Sequence, residues 1–335
     1  MISLTSLSAP GRKKVSDTFF WSGIVFALLV PSMVLAVQDP SGRPADQDDP
    51  FVVVLGIVQD AGFPQAGCKK SCCVEAWRDP AARRNVACLA IVDPKTHERW
   101  IIDATPDFRL QLRALDAIEK PAATPDLAGI LLTHGHMGHY TGLLFLGHES
   151  IGAKDVPVHV MPRMARFLSE HGPWDQLVKY RNIALREMAA DVAFKLNERI
   201  TVTPFRVPHR EEYTEVVGFL IQGPQRSIAY VPDIDKWTRW DRRVEDLIAG
   251  VDVAYVDGTF YAAGENPERD MTAIPHPFIA ETMKRFESEP AAERAKIRFI
   301  HLNHTNPALD PNGEARRKIE AAGFKVAAEG ERVSF

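Results

Sequence analysis

Short hydrophobic runs, separated by polar turns and amphipathic stretches, recur along most of the 335-residue chain. A run of about four to eight apolar residues between turn residues is typical of a buried strand. The predicted strands are residues 51–56, 87–92, 99–103, 128–132, 203–208, 216–221, 227–231 and 297–300, and the predicted helices include 161–186 and 278–286. Strands interleaved with helices favour an α/β fold in which helices cover sheets.

The N-terminal residues have a different pattern. Basic residues at 12–14 precede an apolar run at 19–36 that ends in Val-Leu-Ala, which fits a small-residue cleavage site. We interpret residues 1–36 as a secretory signal peptide. An uncleaved N-terminal membrane anchor is the alternative, because the run is near the length that spans a bilayer.

The segment at 37–50 is rich in Asp, Pro, Gly and Ser and has little apolar content. Such a composition predicts a flexible linker, which leaves 51–335 as the folded domain. Whether the N-terminal segment is cleaved or retained, the domain is expected to be exported. It would be periplasmic or extracellular, and membrane-anchored if the segment is retained.

The overall composition narrows the function. Hydrophobic residues make up 45% of the chain, as in an ordinary globular protein. The formal net charge of −4 gives no basic surface of the kind that nucleic-acid binding needs, so no nucleic-acid partner is expected. The sequence has no glycine-rich phosphate loop and no Gly-x-Ser-x-Gly nucleophile motif. We expect a small-molecule substrate, and membrane contact only through the N-terminal segment.

The most distinctive polar segment is 133–139, which reads Thr-His-Gly-His-Met-Gly-His and directly follows a predicted strand. Side chains two apart in an extended segment point to the same side. His134 and His136 are therefore expected to reach one metal ion, since neutral imidazole is the commonest transition-metal ligand. The alternative is a cluster of solvated loop histidines, and the candidate partners downstream argue against it.

Four further candidate ligands follow strand-like runs later in the chain. His209 ends one run, Asp233 follows a predicted hairpin, and His301 and His304 follow the last run. A carboxylate at the end of a strand can bridge two metal ions. The pattern therefore predicts a metal site built from the ends of several strands.

This order, a histidine triplet followed by a histidine, an aspartate and a histidine, resembles the metallo-β-lactamase superfamily over residues 51–335. The resemblance implies a four-layer αββα sandwich with a metal site at one edge of its two sheets. It also implies one or two divalent metal ions, with zinc expected first and manganese or iron as alternatives.

The resemblance assigns the candidate ligands to two metal positions. The ligands of the first position are His134, His136, His209 and Asp233. The ligands of the second position are His139, Asp233 and either His301 or His304. The family motif is His-x-His-x-Asp-His, and this chain has Gly138 where the motif aspartate stands. The second position is therefore expected to be weaker or empty.

Four other segments are similar to the branch of the superfamily that contains pyrroloquinoline quinone biosynthesis protein B. They are residues 62–65 (Gly-Phe-Pro-Gln), 103–107 (Asp-Ala-Thr-Pro-Asp), 257–260 (Asp-Gly-Thr-Phe) and 305–307 (Thr-Asn-Pro). That branch keeps the motif aspartate and the last histidine but lacks the first two histidines. The resemblance therefore implies a related protein with a different metal site.

A further resemblance, to ribonuclease Z and related phosphodiesterases, concerns Asp257 and His276. In those enzymes an acidic residue at a strand end pairs with a histidine upstream of the last metal-binding strand, and these two residues stand at comparable places. A carboxylate that orients an imidazole makes a general acid for a leaving oxygen. The alternative is that His276 only caps the helix at 278–286.

Three of the four cysteines, Cys68, Cys72 and Cys73, lie within six residues. Their spacing is not the usual Cys-x2-Cys zinc pattern. The related branch has a cysteine-rich zinc loop at this place, which implies a separate structural zinc here. In an exported domain a disulfide that includes Cys68 is the alternative. Cys88 lies in a predicted strand and is expected in the core.

Three functions are consistent with these residues. The first is a metal-dependent hydrolase in which a metal-activated water attacks an ester, phosphodiester or amide-like bond. The second, suggested by the resemblance to the quinone-biosynthesis branch, is an oxidative enzyme with a single iron. The third is an accessory protein that binds metal without catalysis.

Overall fold

The computed structural model describes residues 48–268 and 270–335. The predicted signal peptide or anchor at 1–36 and most of the linker predicted at 37–50 lie outside this part. The end of that linker contacts the domain, because Pro50 is buried and its carbonyl oxygen accepts a hydrogen bond from the Phe335 amide (2.9 Å). Within the described residues, no helix has the length and hydrophobicity needed to cross a bilayer.

Two seven-stranded sheets form the centre of the described domain. The strands are β1 (Phe51–Gly56), β2 (Cys88–Asp93), β3 (Glu98–Ile102), β4 (Gly129–Leu131), β5 (Val156–Val160), β6 (Ile183–Glu187), β7 (Phe194–Lys195), β8 (Thr201–Arg206), β9 (Val217–Gln222), β10 (Ser227–Val231), β11 (Val253–Asp257), β12 (Ile297–Ile300), β13 (Lys325–Val326) and β14 (Arg332–Ser334). The first sheet has the order β14-β1-β2-β3-β4-β5-β6, and the second has the order β13-β12-β11-β10-β9-β8-β7. Both sheets contain parallel and antiparallel pairs.

Helices flank the two sheets. They are α1 (Ser71–Arg78), α2 (Phe108–Ile118), α3 (Met137–Tyr140), α4 (Pro162–Glu170), α5 (Trp174–Lys179), α6 (Val244–Ala249), α7 (Ile279–Arg285), α8 (Ala291–Lys296) and α9 (Glu314–Ala321). Short 3-10 turns lie at Pro80–Ala82, Thr141–Leu146, Trp237–Arg239, Met271–Ala273 and Pro307–Leu309.

Alternate residues of β1 belong to different hydrophobic cores. Val52 and Val54 belong to the larger core, which includes residues of both sheets and of α6, α7 and α9. Phe51, Val53 and Leu55 belong to a second core with residues of α2, α4 and α5. Because both faces of β1 are covered, its sequence is an uninterrupted apolar run. The layers are those of the αββα sandwich, so the fold expected from the resemblance is confirmed.

The hydrophobic runs located the central strands well, but one predicted helix is partly wrong. Residues 161–186 contain α4 and α5, and then Ile183–Glu187 forms β6 instead of helix. A proline disfavours the helical conformation of the residue before it, and Gly172-Pro173 lies between the two helices. The backbone of β6 pairs in parallel with β5, with Val156 opposite Ile183. This tertiary pairing outweighs the local pattern.

The direction of the strands determines where the polar residues meet. β10, β11 and β12 are parallel neighbours, so the residues at and after their C-terminal ends lie at one edge of the second sheet. These residues include Asp233, Asp257 and His301. β3 and β4 are parallel neighbours in the first sheet, which places Asp103 beside Thr133 and the histidine loop.

Candidate metal centre

The first cluster of candidate ligands surrounds the Asp233 carboxylate, which is 3% exposed. His134 Nε2 lies 3.4 Å from Asp233 Oδ2, and His209 Nε2 lies 3.2 Å from Asp233 Oδ1. His136 Nδ1 lies 3.9 Å from Asp233 Oδ2. One ligand atom from each of these four residues lies within 4.8 Å of the others. The structure therefore brings together the residues assigned to the first metal position.

The ligand atoms of this cluster are buried and have no hydrogen-bond partner within residues 48–268 and 270–335. They are His134 Nε2, His136 Nδ1, His209 Nε2 and Asp233 Oδ1. Buried polar atoms in folded proteins nearly always have a partner. Three unpartnered imidazole nitrogens around an unpartnered carboxylate oxygen form a donor set that suits zinc and similar divalent ions. The cluster therefore fits a divalent metal ion.

Each of these histidines is oriented through its other ring nitrogen. His209 Nδ1 lies 3.0 Å from Asp235 Oδ1, and His136 Nε2 lies 3.1 Å from Glu212 Oε2. Partners of this kind fix the orientation of the ring and its tautomer and raise the basicity of the ligand nitrogen. The loop that contains Glu212 therefore helps to hold the histidine loop in its ligand geometry.

The Asp103 carboxylate contacts two residues of the histidine loop. Its Oδ1 accepts a hydrogen bond from the Thr133 amide (2.8 Å), and its Oδ2 lies 2.7 Å from His139 Nδ1. The Thr133 hydroxyl lies 3.0 Å from His134 Nδ1. Asp103 has a φ of 69°, in the left-handed region that Asp tolerates better than most residues. One buried carboxylate thus positions both ends of the histidine triplet.

Burial and neighbouring charges set the protonation of this cluster. Burial lowers the pKa of His134 well below its ordinary value, so its imidazole is neutral. Burial raises the pKa of Asp233, but the surrounding histidines, His209 first, hold it well below its usual range. Burial lowers the pKa of His209, but Asp233 and Asp235 raise it to about 10. Because a metal ligand must be unprotonated, ion binding here would release the proton of His209.

A second cluster, of Asp60, His139 and His301, lies beside the first. Asp60 Oδ1 lies 3.4 Å from His139 Nε2 and 3.8 Å from His301 Nε2. These three atoms are also buried without a hydrogen-bond partner in the described part of the chain. His139 Nε2 lies 4.0 Å from Asp233 Oδ2, so the Asp233 carboxylate is shared between the two clusters.

Asp60 is not among the ligands predicted from the sequence. Gly138 leaves the motif position without a carboxylate, and the Asp60 carboxylate lies in the second cluster instead. The weaker or empty second position expected from Gly138 stays a prediction. Positions 60 and 139 are 79 residues apart, and they meet because both follow strands of the first sheet, β1 and β4. Two signals in the sequence pointed to this residue. An aspartate follows the apolar run of β1, and Gly138 stands where the family motif has its carboxylate.

The structure separates the two histidines that the sequence left as alternatives. His301 lies in the second cluster, and its Nδ1 is 3.0 Å from the Thr259 hydroxyl. His304, also predicted as a ligand of the second position, lies against the cysteine cluster instead. His301 is the first residue after β12, and its backbone has a φ of 64°, in the left-handed region.

The predicted acid pair lies next to both clusters. His276 Nδ1 is 2.8 Å from Asp257 Oδ2 and 3.3 Å from Asp233 Oδ1. Asp257 is itself fixed, because it accepts hydrogen bonds from the amides of Thr259 (2.8 Å) and Ile234 (3.1 Å). Burial lowers the pKa of His276, but Asp257 and Asp233 raise it above its ordinary value. The site therefore favours the protonated, proton-donating form of this ring.

The alternative role of His276, as a helix cap, has no support in the contacts of α7. The Phe278 amide at the start of that helix donates to Glu281 Oε2 (2.9 Å). Glu281 thus makes the hydrogen bond that a capping side chain would make. His276 bonds to Asp257 instead, which leaves its Nε2 as the nitrogen that can exchange a proton.

The third cluster contains Cys68, Cys72, Cys73 and His304. Cys68 Sγ lies 3.8 Å from Cys72 Sγ, which lies 4.0 Å from Cys73 Sγ, and none of the three forms a disulfide. His304 Nδ1 lies 2.8 Å from Asn303 Oδ1, which leaves its Nε2 for a ligand. Three thiols and one imidazole form a common structural zinc set. The contacts fit the zinc that the resemblance implied better than the disulfide, with His304 as an additional ligand.

We expect the substitution Cys68→Ser to remove one ion per chain, because a serine hydroxyl is a poor replacement for a thiolate ligand. Metal analysis of the purified chain measures the loss. X-ray absorption should show a zinc–sulfur distance of about 2.3 Å in the wild type and a smaller sulfur signal in the variant. Cys88→Ser is the matched control, since Cys88 is buried in a strand away from this cluster. An unchanged ion count in Cys68→Ser would contradict the assignment.

The chain is similar in sequence to known proteins. Residues 98–292 match the family model described as a beta-lactamase superfamily domain. The chain is also similar to coenzyme PQQ synthesis protein B of Methylobacterium sp. (strain 4-46). The two are 30% identical over 302 residues, which cover 83% of this chain and 97% of that relative.

Two solved structures have the same fold. Zn2+-bound PqqB from Methylobacterium extorquens superposes with a TM-score of 0.71 at 24% identity, covering 85% of this chain and 100% of that one. A diphosphatase from the PhnP family superposes with a TM-score of 0.60 at 23% identity, covering 85% of this chain and 97% of that one. At these identities the similarity describes the fold alone.

Proposed function

Because the chain belongs to the metallo-β-lactamase superfamily, in the branch that contains coenzyme PQQ synthesis protein B, we propose that it is a metal-dependent hydrolase of a small ester or phosphodiester. The observation that supports this most is the position of His276. Its ring is held by Asp257 and lies 3.3 Å from Asp233, the carboxylate shared by both histidine clusters. A proton donor beside a metal site suits a reaction in which an oxygen leaves.

The candidate ligands fall into two groups. His134, His136, His209 and Asp233 would hold one divalent ion, and Asp60, His139 and His301 would hold a second with the shared Asp233. A divalent ion at such a site lowers the pKa of a water from 15.7 toward about 7 and polarises the oxygen of a carbonyl or phosphoryl group.

The proton needed by the leaving group comes from this chain. His276 donates its Nε2 proton to the leaving oxygen as the bond to that oxygen breaks. Asp257 orients the ring through Nδ1 and stabilises its positive charge before the transfer. The products are an acid and an alcohol, and solvent returns the proton to His276.

Two aromatic side chains near the histidine loop, Phe167 and Tyr213, support a small organic substrate. Tyr213 is 62% exposed and packs on Phe167 at a ring-centroid distance of 5.4 Å. Its neighbours in the chain contact the histidine loop, since Glu212 lies against His136 and the Thr214 hydroxyl accepts from the Gly135 amide (2.8 Å). An exposed aromatic face at the rim would pack against an apolar part of the substrate.

The function is tested with the metal-depleted chain, reloaded with zinc, manganese or iron in separate samples. We expect metal-dependent cleavage of bis(4-nitrophenyl) phosphate or of a nitrophenyl ester, and loss of that activity with a chelator. Full occupancy of the histidine clusters with no turnover on phosphodiesters, esters, lactones or amides would contradict the hydrolase proposal.

A second candidate function is an oxidative step in quinone cofactor biosynthesis, favoured by the similarity to coenzyme PQQ synthesis protein B. Histidine and carboxylate ligands with open positions suit iron and oxygen chemistry. The same samples discriminate the two. One iron per chain in the histidine clusters, with oxygen consumption and no hydrolysis, would favour the oxidative function.

A further inference from the structure

We propose that Asp60 has replaced the carboxylate of the metal motif, and that Gly138 is the second half of this exchange. In this arrangement Asp60, His139 and His301, with the shared Asp233, hold a second divalent cation such as zinc or manganese. The inference rests on the proposed metal-dependent function and deepens it, because it says which carboxylate stands in for the motif aspartate at the second position and why residue 138 is a glycine.

The geometry at Gly138 is the first argument. A Cβ atom placed on Gly138 would lie 2.1 Å from Asp60 Oδ1 and 2.6 Å from Asp60 Cα. Cβ atoms essentially never approach other heavy atoms closer than about 3.0 Å, because atoms at that distance overlap. The Asp60 side chain therefore occupies the space into which a side chain at position 138 would extend. An aspartate at 138 and Asp60 in its present place exclude each other.

Gly138 does not have the positive φ that usually explains why a position is a glycine. Gly138 lies inside the short helix α3 and is not among the glycines with a positive φ. A glycine in a helix costs about 1 kcal/mol relative to alanine. Nothing in its backbone requires the absence of a side chain, so the requirement comes from the space that Asp60 fills.

Contacts with the last metal-binding loop hold the Asp60 segment in place. The Gln59 amide donates to the Leu302 carbonyl (2.9 Å), and the Leu302 amide donates to the Ile57 carbonyl (2.9 Å). Asp60 therefore follows a segment that is hydrogen-bonded to the residue next to His301. This ladder fixes the separation of the two proposed ligands before any ion binds.

The state of the Asp60 carboxylate is an independent argument. Its Oδ1 is buried, has no hydrogen-bond partner within the described residues, and points at two imidazole nitrogens that also lack partners. A buried carboxylate is costly unless it is paired or coordinates a metal. A divalent cation between these three atoms would satisfy all of them.

The decisive experiment is metal binding by the full chain, titrated with Mn2+ or Zn2+ after depletion. Asp60→Asn keeps the shape of the side chain and removes its charge, so the fold should be retained. We expect this variant to bind one ion fewer per chain than the wild type, or to bind that ion at least about 100-fold more weakly, since even outer partners of ligands change metal affinity by about 10–100-fold. Asp116→Asn, at a residue paired with Arg99 away from the clusters, is the matched control.

Substitutions at Gly138 test the exchange itself. A Cβ there overlaps both Asp60 Oδ1 (2.1 Å) and Asp60 Cα (2.6 Å), so Gly138→Ala should displace Asp60 and lose the second ion. Gly138→Asp displaces Asp60 in the same way but supplies a carboxylate at the motif position, so it should bind that ion more tightly than Gly138→Ala does. Gly264→Ala and Gly264→Asp are the matched controls, since a Cβ there meets no atom within 4 Å.

The outcomes separate this inference from the proposed function. A wild-type ion count and affinity in Asp60→Asn would overturn the assignment of Asp60, whatever the activity. A folded Gly138→Ala that binds the second ion as the wild type does would overturn the exchange between the two positions. A wild type that binds both ions but cleaves no substrate contradicts the hydrolase proposal and leaves Asp60 as a ligand.

Discussion

Asp233→Ala should empty both histidine-containing metal positions, whereas His134→Ala should empty only the first. Asp233 lies 3.4 Å from His134 Nε2, 3.2 Å from His209 Nε2 and 4.0 Å from His139 Nε2, so its carboxylate reaches the ligand atoms of both clusters. Without it, the first cluster has no carboxylate and the second keeps only that of Asp60, so less negative charge balances the ions. We expect both ions to bind more than about 100-fold more weakly, because losing a residue that only hydrogen-bonds to a ligand already weakens binding by about 10–100-fold. Catalytic activity should fall to background.

Metal analysis and calorimetric titration of the two variants measure this difference. His97→Ala is a suitable control, because His97 is an exposed histidine that pairs with Glu119. It should bind as many ions as the wild type. If Asp233→Ala lost only as many ions as His134→Ala, the shared role of Asp233 would be excluded. Circular dichroism of the variants shows whether the fold is retained.

His276→Ala should lower turnover by about 10²–10⁴-fold, the usual contribution of a general acid. Nδ1 of the ring lies 2.8 Å from Asp257 Oδ2 and 3.3 Å from Asp233 Oδ1, so the ring is fixed beside the first cluster and Nε2 is the proposed proton donor. The loss should be much smaller for nitrophenolate leaving groups, which depart without a proton. Steady-state kinetics on activated and unactivated substrates measure the difference.

The metal content of His276→Ala separates an acid from a ligand. As an acid, His276 can be removed with the ion count unchanged. A variant that loses an ion would instead make His276 a metal ligand, and its contact with Asp233 is short enough to allow this. Equal losses on activated and unactivated substrates would contradict the acid role. His148→Ala, at an exposed histidine that packs on Tyr180, controls for loss of an imidazole.

The sequence alone predicts the features that depend on residues close together in the chain. The apolar runs gave the central strands, and the spacing of residues 133–139 gave the ligand loop, because a strand end and the residues that follow it are adjacent in the chain. The ends of later runs indicated His209 and Asp233, and the resemblance added their assignment to metal positions and the pair Asp257–His276.

The features that the sequence did not determine depend on distant packing or on backbone conformation. Asp60 reaches its partners only because the loop after β1 is hydrogen-bonded to the loop after β12. The choice between His301 and His304 depends on the left-handed backbone of His301, which no side-chain pattern predicts. β6 forms where a helix was predicted, because a neighbouring strand is available at the sheet edge.

The cysteine cluster has a consequence for the unfolded chain. Cys73 and His304 are 231 positions apart, so an ion bound by both would close a very long loop. If the unfolded chain kept such an ion, the loss of its conformational entropy would favour the folded state by about 5 kcal/mol by the relation used for cross-links. This stabilisation predicts a higher urea midpoint for the wild type with its ion than for Cys68→Ser without it. During synthesis the cysteines are made early and His304 near the end, so this centre can close only when almost the whole domain has been made.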